Sequence, residues 1–278
     1  MPAPLAGSDL AGSDLAGSDL AGSDPILTQA RHGAVISIGL NRPAKRNALN
    51  DTLILAIDAA FAALDDDVRA VVVHGAGAHF SAGLDLSELT ERDAAEGLWH
   101  SRMWHRVFDR IAHCRVPVIA ALQGAVIGGG LELACAAHIR VADPSAYFAL
   151  PEGQRGIFVG GGGSVRLPRL IGVARMADMM LTGRVYSATE GAAVGFTQYL
   201  VEAGGAHARA IELAEKVATN APLTNFAVLQ ALPMIAECGP QAGLVMESLM
   251  ATVAQSDKEA KKRIRDFLDR KTAKVRPT

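Results

Sequence analysis

The chain has few cysteines, few aromatics and no excess of either charge, and each shortage excludes something. Its 278 residues include only Cys114, Cys135 and Cys238, an odd number with no CxxC pair. That argues against a disulfide framework or a cysteine zinc site and fits a reducing, cytoplasmic compartment. The eight histidines form no HxH or HxxxH group, so no metal is expected. With 27 basic and 29 acidic residues the net charge is −2, which gives no field to gather nucleic acid or an anionic membrane. Long apolar runs are missing as well. The most apolar stretch, 119–139, is broken by Gln123, Glu132 and five glycines, well short of a membrane span, and no apolar run with a basic flank stands at the start.

What is present is half hydrophobic in composition, ample for one large core. Residues 5–24 are four copies of Leu-Ala-Gly-Ser-Asp. So little apolar surface does not offset ordering entropy, so residues 1–24 are expected to be a disordered extension. From Ile26 two short β-rich runs flank Arg31-His32-Gly33 and predict a hairpin, and Asn50 or Asp51 caps an amphipathic helix ending near Leu64. Strands are expected at 70–74, 118–122, 139–142 and 147–149, with a glycine-rich turn between the second and third. Beyond Gly162 the pattern is mostly helical, with Ser187-Ala188-Thr189-Glu190 as a capping box. The reading is an α/β fold with a core over 25–200 and a helical region over 201–278.

The most informative segment is Ile127-Gly128-Gly129-Gly130-Leu131-Glu132, followed by Pro151-Glu152. Three glycines opening a helix let a ligand oxygen approach unpaired N–H groups at the positive dipole end, which suits an oxyanion. An acidic residue in a first helical turn is common and needs no chemistry, and Glu152 after a proline reads by default as a surface turn. Apolar neighbours on both sides of Glu132 change the balance, because an ionised group is costly there without a reason. Paired carboxylates beside an oxyanion pocket make a proton-transfer site. Other glycine clusters carry less. Gly75-Ala76-Gly77 has Phe80 where a dinucleotide loop needs its third glycine, and 160–163 lacks the Lys-Ser/Thr of a phosphate loop. His100 and His105, flanking Trp104, read as amphipathic or core histidines.

At these residues the chain resembles the crotonase, or enoyl-CoA hydratase/isomerase, superfamily. Asn41-Arg42-Pro43 with Asn47-Ala48-Leu49-Asn50 is similar to its opening motif, 80–86 to its first oxyanion loop, and 117–134 to its second. The resemblance covers about residues 26–272 and implies a spiral of ββα units with a C-terminal helical oligomerisation region, assembled as a homotrimer or a dimer of trimers. It implies that the N–H groups of Leu84 and Gly129 form an oxyanion hole for a thioester carbonyl. It makes Glu132 the base that activates water for attack at C3 and Glu152 the acid that protonates C2. Substrate contacts are expected from Lys45, Arg46, Ala82, Asp85 and Gly160, with Arg270 and Lys271 beside the coenzyme A phosphates. Coenzyme A enters only as part of an acyl-CoA substrate, and no separate cofactor is implied.

The sequence departs from the family pattern at Gly153, Gln154 and Arg155, where apolar residues are usual, at Val159, often proline, and at His138, often aspartate. The first three are expected to line the acyl end and set acyl specificity; His138 is expected to be structural. Hydration of a 2-enoyl-CoA leads, because both glutamates are present. Double-bond isomerisation and hydration coupled to retro-aldol cleavage reuse the same enolate. A non-catalytic acyl-CoA-binding subunit has no use for two proton carriers, and RNA binding lacks a basic surface.

Overall fold

The computed structural model describes residues 24–88 and 91–269. The Leu-Ala-Gly-Ser-Asp extension, apart from Asp24, and the expected phosphate partners Arg270 and Lys271 lie outside the described residues. The hairpin forms as the sequence predicts: β1 (Leu27–His32) pairs antiparallel with β2 (Val35–Leu40) across a turn in which Gly33 takes φ +60°. The first helix, α1 (Asp51–Ala62), begins where the side chain of Asn50 accepts the Leu53 N–H. Four more strands, β3 (Ala70–Gly75), β4 (Val118–Leu122), β6 (Ile139–Ala142) and the short β9 (Tyr199–Leu200), extend the sheet in parallel in the order β1-β2-β3-β4-β6-β9. A second wall holds β5 (Ala125–Ile127), β7 (Tyr147–Ala149) and β8 (Tyr186–Ser187).

The two walls advance together. β4 leads into β5 and β6 into β7, with β4 parallel to β6 and β5 parallel to β7, while a bridge from Ser81 to Val126 adds one earlier rung. Each turn of this spiral is a pair of strands plus a helix: α2 (Ala94–Ala112) precedes β4, and α3 (Gly129–Ala136) follows β5. Side chains alternate across the main sheet as strand geometry requires. Val71, Val73, Val118, Ala120 and Leu122 face the large core with α1, α2 and α3, where Leu53, Phe80 and Phe108 are fully buried. Ala70, Val72, Ile119 and Ala121 face a second core covered by α7 (Ala206–Ala218) through Ala206, Ala210, Leu213 and Ala214. Helix α7 therefore packs onto the sheet, although its residues fall in the region expected to be separately helical.

The remaining helices are α4 (Gly163–Ile171), α5 (Val173–Thr182), α6 (Ala188–Ala193), α8 (Pro222–Phe226), α9 (Leu232–Glu237), α10 (Pro240–Ser256) and α11 (Lys258–Leu268). Helix α6 starts at the expected capping box, with Ser187 and Glu190 each satisfying the other's backbone N–H. Helices α9 to α11 leave Leu232, Met234, Leu244, Val245, Leu249, Phe267 and Leu268 exposed. No helix among the described residues is long and apolar enough to cross a membrane.

Candidate active site

The spiral brings two loops together at the start of α3. Gly128, at φ +52°, caps the helix, and its hydrogen would become a Cβ only 2.6 Å from Glu152 Oε1. Opposite it, Gly83 at φ +85° leaves no room either: a Cβ there would sit 2.6 Å from the Ile127 carbonyl oxygen and 3.3 Å from the Gly129 nitrogen. Only glycine at both positions lets the 80s loop lie against the helix N-terminus. Residue 84 is held by a parallel bridge to Leu49, in which Leu49 donates to the Gly83 carbonyl at 2.7 Å and accepts from the Asp85 N–H at 2.8 Å. A bridge of this type uses the groups on either side of Leu84, so the Leu84 N–H points away from Leu49. Neither that N–H nor the Gly129 N–H has an acceptor among the described residues.

Glu132 lies one turn into α3 and is 3% exposed. Its Oε1 accepts two backbone N–H bonds, from Gly161 and from Gly163, each 2.8 Å long. Desolvation raises its pKa, and the N–H bonds of the glycine loop oppose that rise. Glycines are needed at these positions, since a Cβ on Gly163 would lie 2.8 Å from Glu132 Cγ. Glu152 is also buried, but its Oε2 has no hydrogen-bond partner among the described residues. Burial, reinforced by the charge of Glu132, pushes its pKa up to about 7. The two carboxyl groups thus sit in unequal surroundings: one is solvated by backbone donors and the other is bare. Buried Arg140 braces the same helix from behind, donating to the carbonyls of Ala134, Ala137 and Phe196. A cation at a helix C-terminus is favourable for the dipole.

Both carboxylates open on a cavity of about 400 Å³. Leu84, Gly129, Glu132, Glu152 and Gly160 line it, so five of the residues singled out in the sequence meet at one place. The rest of the wall comes from Arg92, Gly97, His100, Ser101 and Trp104 on and before α2, and from Ile157, Phe158, Val159 and Gly161. Trp104 presses on the helix start, with Cζ3 2.8 Å from where a Gly129 Cβ would be. Asp51 Oδ1 ties α1 to α2, 2.7 Å from His100 Nε2 and 3.4 Å from Trp104 Nε1. Sequence reasoning left these α2 residues in an amphipathic helix. Their spacing at 97, 100, 101 and 104 marks one face, but the sequence does not say that the face borders a cavity.

Several expected contacts fall elsewhere. Gly153, Gln154 and Arg155 form one 3-10 turn that faces away from the cavity. A Cβ on Gly153 would strike the Met180 carbonyl oxygen at 2.3 Å, and Gln154 donates to the Thr182 carbonyl, so the turn packs on the end of α5. The acyl wall after Glu152 is instead Ile157, Phe158 and Val159. Lys45, Arg46 and Ala82 lie on the loops outside the cavity, and His138 is structural as expected: buried, its pKa lowered to about 4, with Nδ1 accepting the Val118 N–H. Asp85 is a structural ion, not an exposed substrate contact. It is 4% exposed and binds Arg42 Nη2 at 2.7 Å, Lys45 Nζ at 3.2 Å and Ser87 Oγ at 2.7 Å. Bonds from Ser87 first, then from Arg42 and Lys45, hold its carboxyl well below the usual range despite desolvation. Asp85→Ala is expected to cost about 3 kcal/mol, since it strands a half-buried guanidinium. Urea unfolding at pH 7 reads the loss. The parent's advantage over the variant should shrink as pH falls below the ordinary aspartate range, because a depressed folded pKa stabilises only while the unfolded carboxyl is ionised.

A helix N-terminus with two unpaired N–H groups beside two unequal carboxyls defines a site suited to a developing oxyanion with proton transfer on both sides. Comparison with known proteins agrees with that class. Residues 30–276 match the enoyl-CoA hydratase/isomerase family, and the chain belongs to that family. It is 34% identical over 248 residues to the 2,3-dehydroadipyl-CoA hydratase of Escherichia coli K12, covering 88% of this chain and 96% of that protein. The crystal structure of a Rhodopseudomonas palustris CGA009 protein, provisionally assigned as an enoyl-CoA hydratase, is 74% identical, with a TM-score of 0.87 over 90% of this chain and 97% of that one. The enoyl-CoA hydratase of Bacillus anthracis superposes with a TM-score of 0.83 at 30% identity, over 88% and 97% of the two chains.

Proposed function

We propose that the protein is an enoyl-CoA hydratase that adds water across the C2=C3 bond of a 2-enoyl-CoA thioester. The observation that carries this reading is the inequality of the two buried glutamates. Glu132 keeps its negative charge through two backbone N–H bonds. Glu152 has a bare oxygen and a pKa near 7, so a large share of the molecules hold its proton at neutral pH. A water between them loses a proton to Glu132 as its oxygen bonds to C3. The π electrons move onto the thioester oxygen, where the Leu84 and Gly129 N–H groups meet the enolate charge. The Glu152 proton then goes to C2, and the net change is one water added. Preorganised donors of this kind are worth about a hundredfold or more each in rate. Because the pair is coupled, the two titrations belong to the pair jointly.

Isomerisation and retro-aldol cleavage would use the same enolate, but neither needs a water-activating carboxylate and a separate proton donor both poised in the resting site. The direct test is the loss of conjugated-thioester absorbance when purified protein meets crotonyl-CoA. Hydration with formation of 3-hydroxybutyryl-CoA is expected; conversion of a 3-enoyl-CoA to its 2-isomer without any hydration would assign the isomerase reading instead.

The apolar residues left open on α9 to α11 support self-association, and a homotrimer or dimer of trimers is the assembly this reading takes. Sedimentation equilibrium should give three or six chains. Removing residues 257–278 should shift the mass toward the monomer, and an unchanged mass would place the interface elsewhere.

A further inference from the structure

The cavity is apolar where the chemistry occurs and polar at its far end. Along the face of α2 that borders it, Trp104 lies against Gly129; one turn back stand Ser101 and His100, then Gly97, and Arg92 just before the helix. At 1.5 Å per residue, this series places His100 about 6 Å, Gly97 about 10 Å and Arg92 about 18 Å from Trp104 along the axis. Gly97 keeps the passage open, with no atom within 4 Å of where its Cβ would be. The coenzyme A side is not a rival for this end, because Lys45, Arg46 and Ala82 do not border the cavity.

We infer that the acyl chain taken by this site ends in a carboxylate, six to eight carbons from the thioester, and that Arg92, with His100 and Ser101, reads that end. The inference rests on the acyl-CoA reading above and narrows it to ω-carboxyl acyl chains. Three observations converge on it. Arg92 borders the cavity and has no hydrogen bond or ion pair among the described residues. The acids beside it are occupied: Asp93 and Glu96 satisfy each other's backbone N–H in the capping box at the start of α2. Glu91 is the remaining nearby carboxylate and does not border the cavity. His100 is fixed by Asp51 through Nε2, which presets its ring at the wall, and Ser101 Oγ donates to the Gly160 carbonyl at 2.7 Å, which leaves its lone pairs as the free function. An extended chain advances about 1.3 Å per carbon from bonds near 1.5 Å. A carboxylate at carbon six to eight therefore arrives between the levels of His100 and Gly97, within the span of an arginine reaching inward from residue 92. Leu84, Val159 and Trp104 flank the intervening methylenes. Arginine suits the role because its planar donors match a carboxylate.

The test measures binding of two saturated thioesters of equal length, adipyl-CoA and hexanoyl-CoA, by calorimetry on the full chain. Saturation removes turnover, so the result does not depend on the hydration reading. The parent is expected to bind adipyl-CoA at least tenfold more tightly. That ratio should fall close to one in Arg92→Met, recover in part in Arg92→Lys, and shrink in the parent as salt is raised. A parent ratio of one, or a preference for hexanoyl-CoA, overturns the inference. So does a tenfold ratio that survives in Arg92→Met. If the ratio holds while crotonyl-CoA and 2-enoyl-adipyl-CoA are not hydrated, the hydratase reading fails and the tail reading stands.

Discussion

Glu132→Gln is expected to lower kcat for crotonyl-CoA hydration by a factor on the order of a hundred to ten thousand, the usual contribution of a positioned acid–base group. The amide is a close isostere here. Its oxygen can still accept both the Gly161 and Gly163 N–H groups, so the glycine loop stays in place and the melting temperature should change little. What the amide lacks is the capacity to take a proton from water as that water attacks C3. Binding of a saturated acyl-CoA should therefore persist while turnover collapses, which separates lost chemistry from lost structure. Glu132→Ala is the informative contrast: it strands two buried N–H donors, each costing about 1 to 3 kcal/mol, and should lose stability as well as activity. Near-parental kcat in Glu132→Gln would remove Glu132 from the reaction.

Much of this arrangement was legible in the sequence, for identifiable reasons. Period-two alternation located the strands at 70–74, 118–122, 139–142 and 147–149, and all four form. The capping residues of α1 and α6 have side chains whose only good local partners are helix N–H groups, so Asn50 and Ser187 declared themselves. The glycine run before Glu132 did the same for α3. The misreadings share a different cause. Gly153, Gln154 and Arg155 follow Glu152 in the chain, but a 3-10 turn rotates successive side chains by about 120°, and this one directs them to α5. Adjacency in sequence said nothing about that rotation. Asp85 sits in the first oxyanion loop, yet its carboxylate turns inward to Arg42, forty-three residues earlier. The α2 face that closes the cavity was visible as a periodic pattern, but which surface it covers is a tertiary fact fixed by Asp51 gripping His100.

Glu152→Gln is expected to do two opposite things: to reduce hydration by about two to four powers of ten and to stabilise the fold at neutral pH. The first follows from loss of the proton delivered to C2. The second follows from linkage. Burial raises the folded pKa of Glu152 from an ordinary 4.5 to about 7. Below about pH 4.5 the carboxyl is protonated whether the chain is folded or not, and it costs nothing. Between 4.5 and 7 the unfolded chain ionises first and binds fewer protons than the folded one, so stability falls as pH rises, and the full penalty is present above 7. A shift of this size corresponds to at most about 3 kcal/mol. A neutral amide carries no such penalty, so the gain in Tm of Glu152→Gln over the parent should be small at pH 4.5 and reach several degrees at pH 8. The parent's own kcat/KM should decline as pH rises through about 7 and the acid loses its proton. A Tm difference that is the same at both pH values would show that Glu152 titrates normally, and the assignment of the proton donor would then pass from Glu152 to another group.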